Sequence, residues 1–500
     1  MLNQTVSKNR ISLWCLFLVA VFSWKVAFAE ELLIRNVHII SGDKPNVSSP
    51  KDVFIRDGII LNIGHDLPPS KTVIEGKNQY LIPGLIDTHV HLQGIPGVIT
   101  KDGKQPKFVD EAIAQIPRSY LYFGFTTLLD LISHRSFIED WNNQSVAPQA
   151  FFCHSIIIPD GYPIQGNSHK HQFSSPLVHS LVFNPEQSEL YPSNFPKAEQ
   201  TPEKMVNRAK NEGARCIKVF YEKGFGRWKN LPVPPIALIQ EIIQHAHKQD
   251  LIVLLHANSQ TSHEFGLASK VDGIVHGMWH WGNLSTANTL TKRQFAKRYA
   301  ETNIWVQPTI QVIAGEKEIF KPTFFLHKAL EHVMPKSLLD WYQSDEGQWM
   351  KNDLSQNFGN DFEDAEDLYL KVKDAYSTPI NNLLSFTKML SQEGATLLFG
   401  SDTPSGPFYT QFPGINGRWE MDRWMDAGLS PNVLFTSMTV QNARAIGMEA
   451  SIGQVSVGMK ANLLLLNENP LVDVSAYDTI NKVILNGVVI DRHMLSATEL

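Results

Sequence analysis

The stretch LIPGLIDTHVHL, Leu81 to Leu92, decides how this chain is read. An apolar run broken by Pro83 and Gly84 leads straight into His89 and His91, one residue apart. Side chains alternate faces in an extended segment, so both imidazoles project the same way and converge on one point. Such a pair either grips a metal ion or lies on the wet face of a strand. Taken alone it leaves both readings open.

Working outward, GLIDTHVHL is the first of eight apolar, strand-like runs that alternate with helical stretches. The others are FTTLLDL, QAFFCHSIII, ARCIKVF, LIVLLHAN, DGIVHG, NIWVQPTI and ATLLFGSD. Eight strand-helix units predict an α/β fold, a (β/α)8 TIM-like barrel over 83–448, with its chemistry at the C-terminal ends of the strands. The segment 320–376 breaks the rhythm between the seventh and eighth runs, as a helical insertion or lid would. Short alternating runs around Asp57-Gly58 and Asn486-Gly487 read as hairpins at the two ends of the chain. Neither end has enough surface to bury alone, so 30–82 and 449–495 are expected to combine into one small β-sandwich.

The strand ends collect polar residues. His89 and His91 end the first run, Lys218 lies in the fourth, His256 ends the fifth, His276 the sixth, and Asp402 the eighth. A packed barrel has no structural use for so many polar groups in one ring unless they are paired or bind metal. Imidazole and carboxylate are ligands that zinc and related divalent ions prefer. Burial between Ile217 and Val219 would push Lys218 toward its neutral amine, the form able to react with carbon dioxide. A lysine reaching the rim, or one that binds a substrate anion, fits the residues equally well.

The chain has 500 residues, 43% hydrophobic and 19% charged, with a formal net charge of −6. It is therefore globular, and without a basic block it predicts a small-molecule substrate and no nucleic acid. Lys8 and Arg10, the apolar run ISLWCLFLVAVFSW and Ala27-Phe28-Ala29 read as a signal peptide over 1–29, cleaved after Ala29. Its apolar run is short of the ~20 residues that span a bilayer, so a secreted or periplasmic protein with no lasting membrane anchor is expected. Cys153 and Cys216 allow one disulfide but do not require it. The chain leaves a homo-oligomer open.

PGLIDTHVHL, IKVF, LLHAN, VDGIVHG, LLFGSDTP and IGQVSVGMKANLLLLNENP follow the order of motifs in the metal-dependent amidohydrolase superfamily. The chain resembles the prolidase-like and imidazolonepropionase-related members. That resemblance implies two divalent ions, zinc by preference: His89 and His91 on the first, His256 and His276 on the second, and carboxylated Lys218 bridging them. It also implies that Asp402 binds the first ion and moves protons. Two departures stand out, Asn462 where the family often has aspartate and a long insertion after Thr309.

The implied reaction is hydrolysis of small-molecule amide C–N bonds, in dipeptides or N-acyl amino acids. Alternatives are lactone, carbamate or ester hydrolysis, a mononuclear deaminase, or a silent binding relative. Ring deaminases of the superfamily typically carry a glutamate three residues after the fifth-strand histidine. Here Ser259 stands there, which favours amide cleavage. Tyr221, Lys223, Arg227 and His280 are candidates to hold substrate, and Trp279 and Trp281 to wall the pocket. His169 and His171, in a Gly-, Pro- and Ser-rich loop, read as solvated or substrate-facing, and the acidic run 361–367 as a solvated helix face.

Overall fold

The computed structural model describes residues 31–98, 106, 108–359 and 362–499, so the expected signal peptide and Asp361 lie outside the described residues. Among these residues no helix is long and apolar enough to cross a membrane.

Seven parallel strands form one curled sheet in chain order: Leu85–Val90, Phe125–Asp130, Gln149–Ser155, Cys216–Phe220, Ile252–His256, Gly273–Val275 and Trp305–Gln307. All of Leu85–Val90 and Cys216–Phe220 is buried, as expected where helices cover one face of a parallel sheet and a packed interior fills the other. The interior below the site is apolar, with Ile86, Leu129, Leu254 and Val275 packed around Cys153 and Cys216. These cysteines are register partners on adjacent strands and are joined by a disulfide, with Cα atoms 4.5 Å apart.

The expected eighth strand is not a regular strand. Segment 396–403 runs between the sheet's two edges and hydrogen-bonds to both. On one side Val306 N donates to Thr396 O and Leu398 N to Val306 O; on the other Asp402 N donates to His89 O and His91 N to Thr403 O. Two local features account for the broken ladder. Asp402 has φ +52°, outside the strand region, and a Cβ on Gly400 would lie 2.7 Å from the Cβ of His89, so backbone and side chain meet too closely for regular pairing.

The two chain ends share a second sheet. Strands Val488–Asp491, Ile480–Leu485 and Leu463–Leu466 lead in that order to Tyr80–Pro83, which pairs with Glu31–Ile40; that strand pairs with Val47–Arg56, and Val47–Arg56 with Ile59–Gly64. Thr72–Glu75 also pairs with Glu31–Ile40. One continuous sheet thus carries eight strands, where a two-layered sandwich was expected. The reason is that Glu31–Ile40 is long enough, at 10 residues, to pair with Thr72–Glu75 along its first half and with Tyr80–Pro83 along its second. Asn462, the departure noted above, accepts a hydrogen bond from Asn486 N at 2.8 Å and stabilises this sheet.

Between the seventh strand and segment 396–403 lie short helices and one long helix, Ala365–Gln392, capped by Asp364, which accepts from Glu366 N and Asp367 N. Part of the acidic run is therefore a helix cap. The short helices reach back to the loop after the first strand: Tyr342 Oη donates to Pro96 O at 2.6 Å, and Trp349 Nε1 to Gly97 O at 2.7 Å.

Candidate metal centre

The strand ends bring the six polar residues to one rim. His89 and His91, two apart at the end of the first strand, both turn Nε2 toward Oδ1 of Asp402, each at 3.0 Å. The ligand atoms of these three residues all lie within 4.8 Å of one another, close enough to hold one ion. The second carboxylate oxygen of Asp402 is 3.7 Å from Nδ1 of His276. His276 Nε2 faces His256 Nδ1 at 2.9 Å, and the other nitrogen of each ring has a further partner. Nε2 of His256 lies 3.4 Å from Glu222, and Nδ1 of His276 lies 2.9 Å from the Thr309 hydroxyl. Two nitrogens are therefore turned on one another with their partners beyond them, as when a histidine's far nitrogen is held by an outer group and the near one is left for metal.

Burial sets the charge states. It drives His89 down to about 3, His256 down despite Glu222, and His276 well below its ordinary value, so these rings are neutral ligands at pH 7. Burial alone would raise Asp402, but His89, His91 and His276 overcome it and hold the carboxyl well below the usual range. Burial also lowers Lys218, only 2% exposed, to about 7, and its amine is close enough for Asp402 to oppose that shift. A cluster of neutral imidazoles around one anionic carboxylate and a half-neutral amine fits divalent cations.

Three residues of the site have left-handed backbones: His276 at φ +86°, Thr309 at +45° and Asp402 at +52°. Such conformations cost about 1–3 kcal/mol each and persist where the surroundings over-determine them. Asp87 supports the centre from below. Its Oδ1 accepts from His89 N and Ser401 N, each at 3.0 Å, and so ties the first strand to segment 396–403.

Glu222, Thr309 and Tyr162 were not singled out in the sequence. Glu222 also accepts from Asn258 and from Gly224 N, and Tyr162 lies over His256 with ring centroids 4.4 Å apart. Of the proposed substrate-holding residues, Tyr221 is buried against Phe265, at a centroid distance of 4.6 Å, and Arg227 is exposed beside Trp228. Lys223 lies over the outer face of Tyr221, and His280 is exposed at the rim, where Glu222 acts on it. Trp279 stands edge-on to His276 and Trp281 is buried. His169 and His171 are exposed on a short helix, with His169 3.7 Å from Asp160. A cleft of about 480 Å³ opens beside His91, walled by Ile95, Ile132, Tyr162, Trp349, Pro404 and Pro407.

Comparison with known proteins bears on the family and on the fold. The model of the amidohydrolase family matches residues 368–491. A 5-methylthioadenosine/S-adenosylhomocysteine deaminase of Caldanaerobacter subterraneus subsp. tengcongensis is 41% identical over 63 residues, 12% of this chain and 14% of that protein. The dihydropyrimidinase of Rattus norvegicus is 36% identical over 70 residues, 13% of each chain. The chain thus spans only a small part of the curated relatives it matches. Solved structures cover far more: an Xaa-Pro dipeptidase with bound methionine has a TM-score of 0.64 at 18% identity, over 92% of this chain and 100% of that one. The ochratoxinase of A. niger has a TM-score of 0.62 at 17% identity, over 93% and 96%. Residues 368–491 thus match the amidohydrolase family, and over more than nine-tenths of its length the chain shares the fold of the Xaa-Pro dipeptidase and the ochratoxinase.

Proposed function

We propose that the chain is a binuclear metallohydrolase, zinc-dependent by preference, that cleaves amide C–N bonds of dipeptides or N-acyl amino acids. The observation that carries this reading is Asp402, one carboxylate between two donor groups, His89 with His91 and His256 with His276. Bound divalent ions would polarise the substrate carbonyl and make a water molecule acidic. The chain supplies the rest. Lys218, as a carbamate, would bridge the two donor groups, and burial keeps enough of its amine neutral to form one. Asp402 is ionised at neutral pH, the form that takes a proton from the attacking water and returns it to the leaving nitrogen. Glu222 and Thr309 hold Nε2 of His256 and Nδ1 of His276, which leaves Nδ1 of His256 and Nε2 of His276 turned on one another.

The cleft beside His91 is mostly apolar, and among the described residues no lysine or arginine lines it. It suits the apolar arm of a substrate, and recognition of a substrate carboxylate falls to the rim near His280. We place the protein in the secreted or periplasmic space, on its N-terminal pattern and buried disulfide, and read segment 396–403 as the member that closes an eight-membered ring.

The test is a metal count and a screen of dipeptides and N-acyl amino acids for free amine, with bicarbonate present. Two ions per chain, with activity lost in Lys218→Ala, is the expected result. One ion per chain and a fully active Lys218→Ala would instead favour a mononuclear deaminase.

A further inference from the structure

The helix Gln260–Ser269 follows the fifth strand, and its His263 is fully buried. Nδ1 of that ring lies 2.7 Å from the hydroxyl of Tyr299, also fully buried, on the helix Thr289–Thr302. With the phenol as donor, Nδ1 accepts and the ring proton belongs on Nε2. Nε2 makes no fully formed hydrogen bond, and the carbonyls of Ala257 and His276 act on the ring. One carbonyl belongs to the residue after His256 and the other to His276 itself. Phe386 of the long insertion helix packs on both partners, at centroid distances of 5.4 Å from His263 and 6.0 Å from Tyr299. An apolar side chain would fill such a slot at lower desolvation cost, so packing alone does not account for an imidazole here. The backbone it faces is unusual, because His276 is left-handed and its ring meets His256 at 2.9 Å.

We propose that His263, held by Tyr299, is a positioning residue that fixes the backbone at Ala257 and His276 and thereby the convergence of His256 and His276 on the second ion. It touches neither substrate nor ion. The inference rests on the binuclear reading above.

Titration of metal-free protein with Co²⁺, followed by its visible absorption, tests it in the wild type and in Tyr299→Phe, His263→Phe and His263→Gln. Tyr299→Phe keeps the ring shape and is the variant least disposed to misfold. The expected result is an unchanged first equivalent and a second equivalent weakened about 10- to 100-fold in His263→Phe. Tyr299→Phe should lose less, and His263→Gln, which restores an N–H near the position of Nε2, should recover part of the loss. Variants that bind both equivalents as the wild type does, whatever their melting temperature, would overturn the proposal. A wild type that binds one equivalent would overturn the binuclear reading and this inference with it.

Discussion

Asp402 accepts from both histidines of the first strand through one oxygen and faces His276 with the other, so replacing that carboxylate disturbs ligation and proton transfer together. Asp402→Asn should lower kcat by about 10²- to 10⁴-fold, the span ordinarily supplied by a general acid or base. The measurement is steady-state kinetics on metal-loaded protein with its metal content checked, and a variant within threefold of wild type would remove Asp402 from the chemistry. That His89, His91, Lys218, His256, His276 and Asp402 meet at one rim could be read from the sequence, because strand ends gather such polar residues in chain order. Glu222 and Thr309 could not. Glu222 lies four residues beyond Lys218, and its contact with His256 depends on how the following loop turns. The left-handed backbones of His276, Thr309 and Asp402 leave no mark in the sequence either, because none is glycine.

Among the elements, the insertion shows how far periodicity carries. Its helical character was readable, but its attachment was not, because Tyr342 and Trp349 reach carbonyls of residues some 250 positions earlier. Tyr342→Phe should cost about 1–3 kcal/mol in denaturant melts by leaving the buried Pro96 carbonyl without its donor. An unchanged midpoint would mean that the contact holds nothing. The helix Ile310–Glu318, which follows the seventh strand, begins at Thr309 and is held at its start by Glu420, whose Oε2 accepts from Gln311 N at 2.6 Å. Burial raises Glu420 to about 8, although the backbone N–H groups of Gln311 and Ile310, the Trp424 indole and the charge of Arg423 oppose the shift. The folded state therefore keeps a proton that the unfolded chain releases near the ordinary glutamate value of 4.5. Stability from this group is fully present below that value and is lost as pH rises toward 8, by up to about 1.4 kcal/mol per pH unit. Urea melts at pH 5, 6.5 and 8 should show a flatter pH dependence in Glu420→Gln, and an identical slope would show that Glu420 is ionised throughout.

At the scale of the whole molecule, strands from both ends of the chain share one sheet, and Gly84 N donates to Asn462 O where the first parallel strand begins. That union was readable from the two hairpin signals, because neither end could bury its own apolar face. The disulfide was not, since two cysteines 63 residues apart become neighbours only once the third and fourth strands pair in register. It lies on the same strand as Lys218 and two residues before it, so it staples the floor beneath the amine that would bridge the ions. Closing a loop of 63 residues removes conformational freedom from the unfolded chain worth about 4 kcal/mol in the chain-entropy account. The double variant Cys153→Ala/Cys216→Ala should therefore unfold at lower urea, with a loss of up to that amount and two small cavities adding to it. Both cysteines are fully buried, so in protein produced from residue 30 onward, which lacks Cys15, a mild thiol reductant should leave the native fold unlabelled by iodoacetamide and should expose two thiols only once urea has opened the sheet. Two thiols labelled in urea with no reductant present would show that the bridge does not form, and the urea midpoint of the double variant should then shift by no more than its cavities require.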